Sequence, residues 1–141
     1  MPDCTLERYL PYSAGQMFDL VIDVERYREF MPFEFDAHVL ERGAGTLRSV
    51  QALRIGPMRL KFNTQASFLK PDWIRVVSTS GLFKYFEIAW KFTGLEQGCN
   101  IRAHVECTAS SPLLGMLLAP WVETFTANLI SAFERRAAEI Y

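Results

Sequence analysis

The last thirty residues of the chain, 112–141, constrain its fold more than any other stretch. Ser111 followed by Pro112 is typical of a helix start, with a hydroxyl cap and proline at the first helical position. Apolar residues then recur at spacings of three and four, which places them on one face of a helix. This stripe contains Val122, Phe125, Leu129, Phe133, Ala137 and Ile140.

Pro120 lies inside this apolar stretch and predicts an interruption. Proline has no N–H to donate, and its ring disfavours the helical conformation at the preceding residue. We therefore expect a short apolar helical turn over 113–118 and one long helix that begins at Pro120, about 33 Å in length. Such a stripe requires a large apolar surface to cover it.

The first third of the chain predicts one strand and two short helices. Thr5 to Leu10 is the strand, and Ser13 then caps a helix with Gln16 completing a capping box. Residues 24–30 predict a second short helix that Pro32 ends.

From Phe33 onward the hydrophobic period is two, which indicates strands. Short turns separate the predicted strands, so consecutive strands should pair as an antiparallel meander with one apolar face. The sequence therefore predicts an α+β fold in which a curved antiparallel sheet of about seven strands wraps around one long C-terminal helix. These later strands are predicted at 33–40, 46–55, 58–68, 73–80, 85–92 and 101–108.

Length and net charge limit the classes of function that this chain can have. The 141 residues fit a single domain, and the net charge of −1 with a pI near 6.1 argues against binding to phosphate backbones.

Cys4, Cys99 and Cys107 predict no disulfide framework and fit a reducing compartment. The segment Met1-Pro2-Asp3 has no signal-peptide pattern. The most apolar window, 112–122, is shorter than the ~20 residues of a membrane span but could touch a membrane surface.

No catalytic or metal-binding pattern stands out. His38 and His104 are the two histidines, and both alternate toward the polar side of their strands. No Cys or His pair has zinc-ligand spacing, and no nucleophile elbow, phosphate loop or dinucleotide fingerprint occurs. Glu87 lies on an aromatic strand but also alternates outward. We therefore predict no catalytic residue and no metal site.

An apolar cavity is the strongest candidate site. A curved sheet cannot follow a straight helix along its whole length, so a gap can remain between them, suited to an apolar ligand. The alternative, which alternation alone favours, is that these side chains close on each other as an ordinary core. The residues that would face the gap are Phe62, Thr64, Ala66, Phe86, Ile88, Trp90, Ala103, Val105, Phe125 and Leu129.

Several motifs resemble one protein family along nearly the whole chain. Residues 10–18 and 23–32 resemble the coenzyme Q-binding proteins of the polyketide cyclase/START-like superfamily, which also includes a bacterial ribosome-association toxin. Later landmarks that match are 81–84, 90–92, 111–114 and 132–137. The chain departs from the family at Arg28, where proline is usual, at Phe33, where tryptophan is frequent, at Leu82, where the family has proline, and at the Glu87-Ile88 step.

The resemblance implies a helix-grip fold with a hydrophobic tunnel that holds ubiquinone or a related polyprenyl lipid, with no other cofactor required. Within this interpretation Tyr85 and Glu87, with Thr64, are candidate headgroup contacts. An apolar gate facing a membrane would admit the lipid. The gate residues would be Leu113, Leu114, Leu117, Leu118 and Trp121.

Three functions remain open. The first is non-catalytic binding or chaperoning of the lipid in support of respiratory electron transport. The second is an aromatic polyketide cyclase or dehydratase that uses the same cavity. The third is a ribosome-associated interaction module, which the acidic pI disfavours. For the first we expect a cytoplasmic protein, peripheral at the inner membrane, or a mitochondrial matrix protein in a eukaryote, without DNA as a partner.

Overall fold

The computed structural model describes residues 3–81 and 83–141. Met1, Pro2 and Leu82, which belong to sequence segments discussed above, lie outside the described residues. Within the described residues the chain forms seven strands, two α-helices and one 3₁₀ helix. In chain order they are β1 (Asp3–Leu10), α1 (Ala14–Ile22), the 3₁₀ helix (Val24–Glu29), β2 (Phe35–Arg42), β3 (Thr46–Ile55), β4 (Met58–Leu69), β5 (Trp73–Ser78), β6 (Phe83–Leu95), β7 (Gly98–Ala109) and α2 (Pro112–Ile140).

The strands form one antiparallel sheet in the order β1-β7-β6-β5-β4-β3-β2. Strands β2 to β7 follow one another as a meander, and β1 closes the far edge by pairing with β7. The predicted curved sheet around a long C-terminal helix is confirmed. Irregular register near Leu40 and Lys84 interrupts the ladder at two positions, and such bulges bend and twist a sheet.

The predicted interruption at Pro120 is wrong, because α2 is continuous from Pro112 to Ile140. Proline at this position removes one hydrogen bond, to the carbonyl of Met116. Both Met116 and Pro120 are exposed, so the freed carbonyl lies on the side of the helix that solvent can reach. Ser111 caps the helix through a hydrogen bond from the Leu114 N–H, as predicted. By length and composition alone α2 would also qualify as a membrane span, a test that core helices of soluble proteins pass as well.

The short helices pack across one end of the sheet. The capping box of Ser13 and Gln16 is present, with each side chain bonded to the other residue's backbone N–H. The predicted second helix is 3₁₀ rather than α. Its Tyr27 contacts Phe133 of α2 with 5.2 Å between ring centroids, which joins the 3₁₀ helix to α2.

The helix α2 lies closest to β7 and β1. Small buried side chains occur on both sides of this contact, with Ala132 and Ala137 on α2 and Ala103 on β7. Because small side chains permit a close approach of helix and strand, this half of the sheet packs tightly against α2. The remaining strands have larger distances to the helix, and the space there is filled by aromatic and aliphatic side chains.

Candidate ligand-binding site

An apolar cavity lies between the β3–β6 part of the sheet, α1, the 3₁₀ helix and the middle of α2. Its volume is about 40 Å³, room for a few water molecules. Ligand pockets for drug-sized molecules have volumes of roughly 300–1,000 Å³. In this conformation the side chains therefore fill most of the space. The lining consists of Val21, Ile22, Val24, Tyr27, Phe33, Phe35, Leu47, Ser49, Gln51, Leu53, Phe62, Thr64, Ala66, Ile74, Val76, Phe86, Ile88, Trp90, Phe125 and Leu129.

Eight of the ten residues predicted to line this space do so. The two exceptions are Ala103 and Val105 of β7, which are fully buried but do not border the cavity. They lie on the strand that α2 covers most closely. Alternation therefore identified the correct face of β7 but could not show that the helix closes this part of it.

The cavity wall carries one polar cluster, formed by Ser49, Gln51 and Thr64 on neighbouring strands. The hydroxyl oxygens of Ser49 and Thr64 are 2.7 Å apart and hydrogen bonded. The Gln51 amide nitrogen donates to Ser49 at 3.3 Å and to Thr64 at 3.4 Å. The hydrogen bond between Ser49 and Thr64 uses only one of their two hydroxyl protons. The other proton can therefore be donated to an acceptor in the cavity.

Tyr85 and Glu87, the predicted headgroup contacts, lie on the opposite face of the sheet from the cavity. Arg75 donates to the Glu87 carboxylate at 2.6 Å and the Tyr85 hydroxyl donates to it at 2.7 Å. Burial would raise the pKa of Glu87, but these hydrogen bonds and the charge of Arg75 outweigh it and lower this pKa below its ordinary value. Strand alternation explains the correction, since Phe86 and Ile88 point inward and their neighbours cannot.

Tyr27 is the one titratable residue that lines the cavity among the described residues. Its hydroxyl donates to the carbonyl oxygen of Val21. Burial, with a smaller contribution from the charge of Asp23, raises the pKa of Tyr27 far above its ordinary value. Tyr27 is therefore neutral at physiological pH, and its proton is already engaged.

A second, outer groove of about 180 Å³ adjoins the cavity at the turn between β3 and β4. Phe33, Leu53 and Phe125 border both spaces, so these three side chains form the wall between them. Trp121 stacks on Phe125 with 4.4 Å between ring centroids. Side chains alone therefore separate the cavity from the outer groove at this place, and Phe125 is one of them.

The predicted gate residues on α2 have different environments. Leu113 and Leu117 are exposed, as is Met116 between them, with 76% of its surface accessible. Leu114 and Trp121 are half-buried, and Trp121 borders the outer groove. Leu118 is fully buried in the core, so its assignment to a surface gate is wrong. The helical period explains the correction, since Leu118 lies one turn before Val122 on the buried stripe.

Sequence reasoning missed several lining residues, above all Ser49 and Gln51. Strand 46–55 alternates Leu47, Ser49, Gln51 and Leu53 on its inner side, so two polar residues lie between two leucines. Polar residues at inward positions of a strand are the signal that could have identified this cluster. Phe33 lies just before β2 but continues the period of two that begins the predicted strand 33–40, so its alternation with Phe35 was the signal that could have assigned it to the cavity.

The described residues contain no group of His, Cys, Asp or Glu that could hold a metal ion. The three cysteines are free thiols. Burial raises the pKa of the Cys107 thiol to about 11 and also raises that of Cys99. Both are therefore protonated at neutral pH and behave as small apolar residues.

The comparisons with known proteins agree on one protein family. The sequence model described as "Polyketide cyclase / dehydrase and lipid transport" matches residues 10–134. The chain is 30% identical over 142 aligned positions to the ribosome association toxin RatA of Escherichia coli, covering 100% of this chain and 90% of that protein. It is 27% identical to the mitochondrial coenzyme Q-binding protein COQ10 homolog B of Xenopus laevis, covering 95% of this chain and 57% of that protein.

The fold also matches solved structures. A START superfamily protein from Mycobacterium smegmatis superposes with a TM-score of 0.84 at 17% sequence identity, covering 99% of each chain. At this identity the match establishes the architecture of sheet and helix and does not identify a ligand.

Proposed function

The chain belongs to the polyketide cyclase/dehydrase and lipid transport family, and on that premise we propose that it binds ubiquinone or a related polyprenyl lipid without converting it. The observation that carries the proposal is the composition of the cavity wall. Apart from the cluster of Ser49, Gln51 and Thr64 and the Tyr27 hydroxyl, the lining residues are all apolar. An apolar wall with a few polar groups is the usual arrangement of sites for apolar ligands. The name of the Xenopus relative supports a quinone.

The polar cluster suits a quinone headgroup. A quinone carbonyl accepts hydrogen bonds and donates none, and the cluster has one hydroxyl proton that Ser49 and Thr64 do not use between themselves. A neutral donor also requires no counter-ion inside an apolar cavity, where a charge would be costly. These residues replace Tyr85 and Glu87 as the proposed headgroup contacts.

Ligand entry requires the cavity to open, because about 40 Å³ cannot hold a prenylated ring. We expect the wall of Phe33, Leu53 and Phe125 to open, since the outer groove lies directly behind it. Burial of one five-carbon prenyl unit contributes up to about 4 kcal/mol, which can offset the displacement of these side chains. We therefore expect binding to be slower than diffusion and to depend on tail length.

The exposed apolar residues of α2 support a proposed loading surface for the lipid. Leu113, Met116 and Leu117 are exposed and lie within about two turns of Trp121 on the same helix, and Trp121 borders the outer groove. Apolar side chains exposed on one helix face partition into the interfacial region of a membrane. We propose that this face contacts a membrane transiently while the wall opens, which corresponds to a peripheral protein.

An enzyme that uses the same cavity is the second candidate, and the wall favours it less. Cyclisation or dehydration requires an acid and a base within hydrogen-bond distance of the substrate. Among the described lining residues, Tyr27 is the one titratable group, and its hydroxyl is bonded to Val21. Binding therefore requires fewer assumptions than catalysis.

Native mass spectrometry tests the proposal. The protein is purified gently from its own host, its intact mass is measured, and organic extraction identifies any lipid. A quinone or prenyl lipid near one-to-one stoichiometry, or stoichiometric uptake of added short-chain ubiquinone, is the expected result. A protein that carries no lipid and takes up no added quinone contradicts the proposal.

A matched pair of variants locates the site. Ala66 lines the cavity, whereas Ala89 lies on the outer face of the same sheet. Ala66→Trp should abolish uptake because the indole fills the cavity, and Ala89→Trp should leave uptake unchanged. Circular dichroism verifies that both variants are folded. If the folded Ala66→Trp protein still binds quinone, the ligand lies elsewhere.

A further inference from the structure

The outer face of the sheet, defined here as the exposed side chains of β3 to β7, is strongly basic although the whole chain has a net charge of −1. These five strands contain eight Lys and Arg residues and two acidic residues, Glu87 and Glu106. All eight cations are exposed, and strand alternation places them on the side of the sheet that faces away from α2, apart from Lys84, which lies at the bulge in β6. They are Arg48, Arg54, Arg59, Lys61, Arg75, Lys84, Lys91 and Arg102.

Acidic groups neutralise this outer face mainly at its rim. Arg48 pairs with Glu41 of β2, Arg54 pairs with Glu34 before β2, and Arg102 lies 3.9 Å from Glu7 of β1. In the interior of the face, Arg75 is paired with Glu87. The other four cations have no salt bridge within the described residues. They are Arg59, Lys61, Lys84 and Lys91.

An exposed aromatic residue lies among these cations. Trp73 of β5 is directly opposite Lys91 of β6, which is directly opposite Arg102 of β7. The row therefore spans about 10 Å across three strands. An open groove runs beside it and is also lined by His104 and by one exposed acidic residue, Asp72. Trp73 is 39% exposed. An indole with cations on the next two strands can stack on a base while the cations contact the flanking phosphates.

From this arrangement we infer that the outer face binds a single-stranded segment of RNA. The cations supply contacts to the phosphate backbone, and Trp73 supplies a stacking platform. Between the cations, β4 presents the uncharged polar side chains Asn63, Gln65 and Ser67. Such groups can bond the ribose 2′-hydroxyl, which distinguishes RNA from DNA.

A membrane surface fits this face less well. Membrane contact combines cations with apolar side chains that enter the interface. The outer face exposes two separate large aliphatic side chains, Leu69 opposite Trp73 and Leu95 near the end of β6, whereas Leu113, Met116 and Leu117 form one exposed apolar cluster on α2. The proposed RNA surface and the proposed lipid-loading surface are thus separate, and the inference does not depend on lipid binding.

Fluorescence anisotropy with a labelled single-stranded RNA of about 20 nucleotides tests the inference, with the full-length protein at several salt concentrations. The key variant is Lys61→Glu/Lys91→Glu, and its control is Arg28→Glu/Arg135→Glu. All four residues are exposed, and each pair changes the net charge equally. We expect the first pair to weaken binding more than tenfold and to lower the slope of log K against log salt by about 1.4, since each lost phosphate contact removes about 0.7. The control pair should stay within threefold of the unchanged protein.

Trp73→Ala separates stacking from charge. It should weaken RNA binding roughly tenfold and leave the salt slope unchanged, because it removes base stacking and no phosphate contact. DNA of the same sequence should bind more weakly than RNA. Thermal unfolding verifies that the variants are folded, and Lys61 and Lys91 are surface residues whose substitution should not affect folding.

Four outcomes would overturn the inference. The first is no binding at 50 mM salt, and the second is an equal loss in the control pair. The third is equal affinity for DNA. The fourth is that Lys61→Glu/Lys91→Glu lowers binding to phosphatidylglycerol vesicles while affinity for RNA is unchanged, which would assign the face to a membrane.

Discussion

The two halves of the sheet's inner face pack against α2 in different ways. In the closed half, β7 and β1 lie directly on the helix, and small side chains such as Ala103 and Ala137 are fully buried between them. In the cavity half, β3 to β5 lie farther from α2, and larger side chains such as Phe62 and Phe125 leave about 40 Å³ unfilled. Both halves are apolar, so hydrophobicity does not distinguish them.

Side-chain size and helix direction produce the difference. A straight helix follows a curved sheet closely only where small residues allow contact, and further along it must separate from the strands. The closed half supplies stability, and the cavity half has the space in which packing can change. A lipid-binding protein needs both properties in one core.

The largest expected effect comes from removing one aromatic ring of α2 that does not border the cavity, Phe133, and one that does, Phe125. Phe133 contacts Tyr27 and Trp90 with ring centroids 5.2 and 5.5 Å away and is 1% exposed. Phe133→Ala should lower the free energy of unfolding by about 3–5 kcal/mol. Phe125→Ala should cost at least about 1 kcal/mol less, because Phe33 and Trp121 can move into the space. Urea denaturation measures both, and equal losses would show that the halves are packed alike.

Adding volume should give the next largest difference. Ala103→Leu forces a larger side chain between β7 and α2 and should destabilise the protein by about 1–3 kcal/mol. Ala66→Leu extends into the cavity and should change stability by less than about 1 kcal/mol, because the added carbons gain contacts there. The same denaturation experiment compares them. A larger loss for Ala66→Leu would mean that the cavity has no usable space.

Most of the fold was predictable from the sequence because its signals are local. The capping box at Ser13, the alternation of 58–68 and the stripe from Val122 to Ala137 each follow from a few neighbouring residues. Pro120 was misleading for a physical reason. Its cost depends on whether the freed Met116 carbonyl is exposed, and exposure is a property of the folded structure.

The site was less predictable than the fold. Alternation identified the inner side of each strand but not how far α2 lies from it, so Ala103 and Phe62 could not be distinguished. The basic outer face was not visible either, because its cations occur singly on five strands and form no run in the sequence. The overall charge therefore gave no indication of this surface.

Glu87, on the outer side of the cavity half, should have a smaller effect on stability, and this effect depends on pH. Glu87 bonds Arg75 and Tyr85 across β5 and β6 and thereby supports strands whose inner side is loosely packed. Glu87→Gln should cost about 1–2 kcal/mol at pH 7, reduced by the exposure of Arg75. Because folding lowers the pKa of Glu87, its stabilisation is full above the ordinary value of 4.5 and is lost as the pH falls through the lowered value.

Denaturation at pH 7 and in steps below pH 4.5 measures this effect. The difference in the free energy of unfolding between the unchanged protein and Glu87→Gln should become smaller toward acid pH. Glu96→Gln, in an exposed turn, serves as the control and should show no gap at any pH. A gap of constant size would assign the loss at Glu87 to packing rather than to charge.

The smallest effect on stability should come from replacing two buried threonines, of which only one should affect binding. Thr64 belongs to the polar cluster in the cavity half, whereas Thr126 is buried in α2, where its hydroxyl donates to the Val122 carbonyl at 2.7 Å. Thr64→Val and Thr126→Val should each change stability by less than about 1 kcal/mol, since Ser49 keeps Gln51 as a partner and the Val122 carbonyl keeps its helical bond.

Quinone binding should distinguish the two variants. Thr64→Val removes one hydroxyl from the proposed headgroup site and should weaken binding of short-chain ubiquinone several-fold, while a prenyl alcohol with the same tail should lose less. Thr126→Val should bind both ligands as the unchanged protein does. Titration by native mass spectrometry measures the four affinities. If both variants bind quinone equally well, the lipid interacts through its tail alone, and the polar cluster is a structural feature of the sheet rather than part of the recognition site.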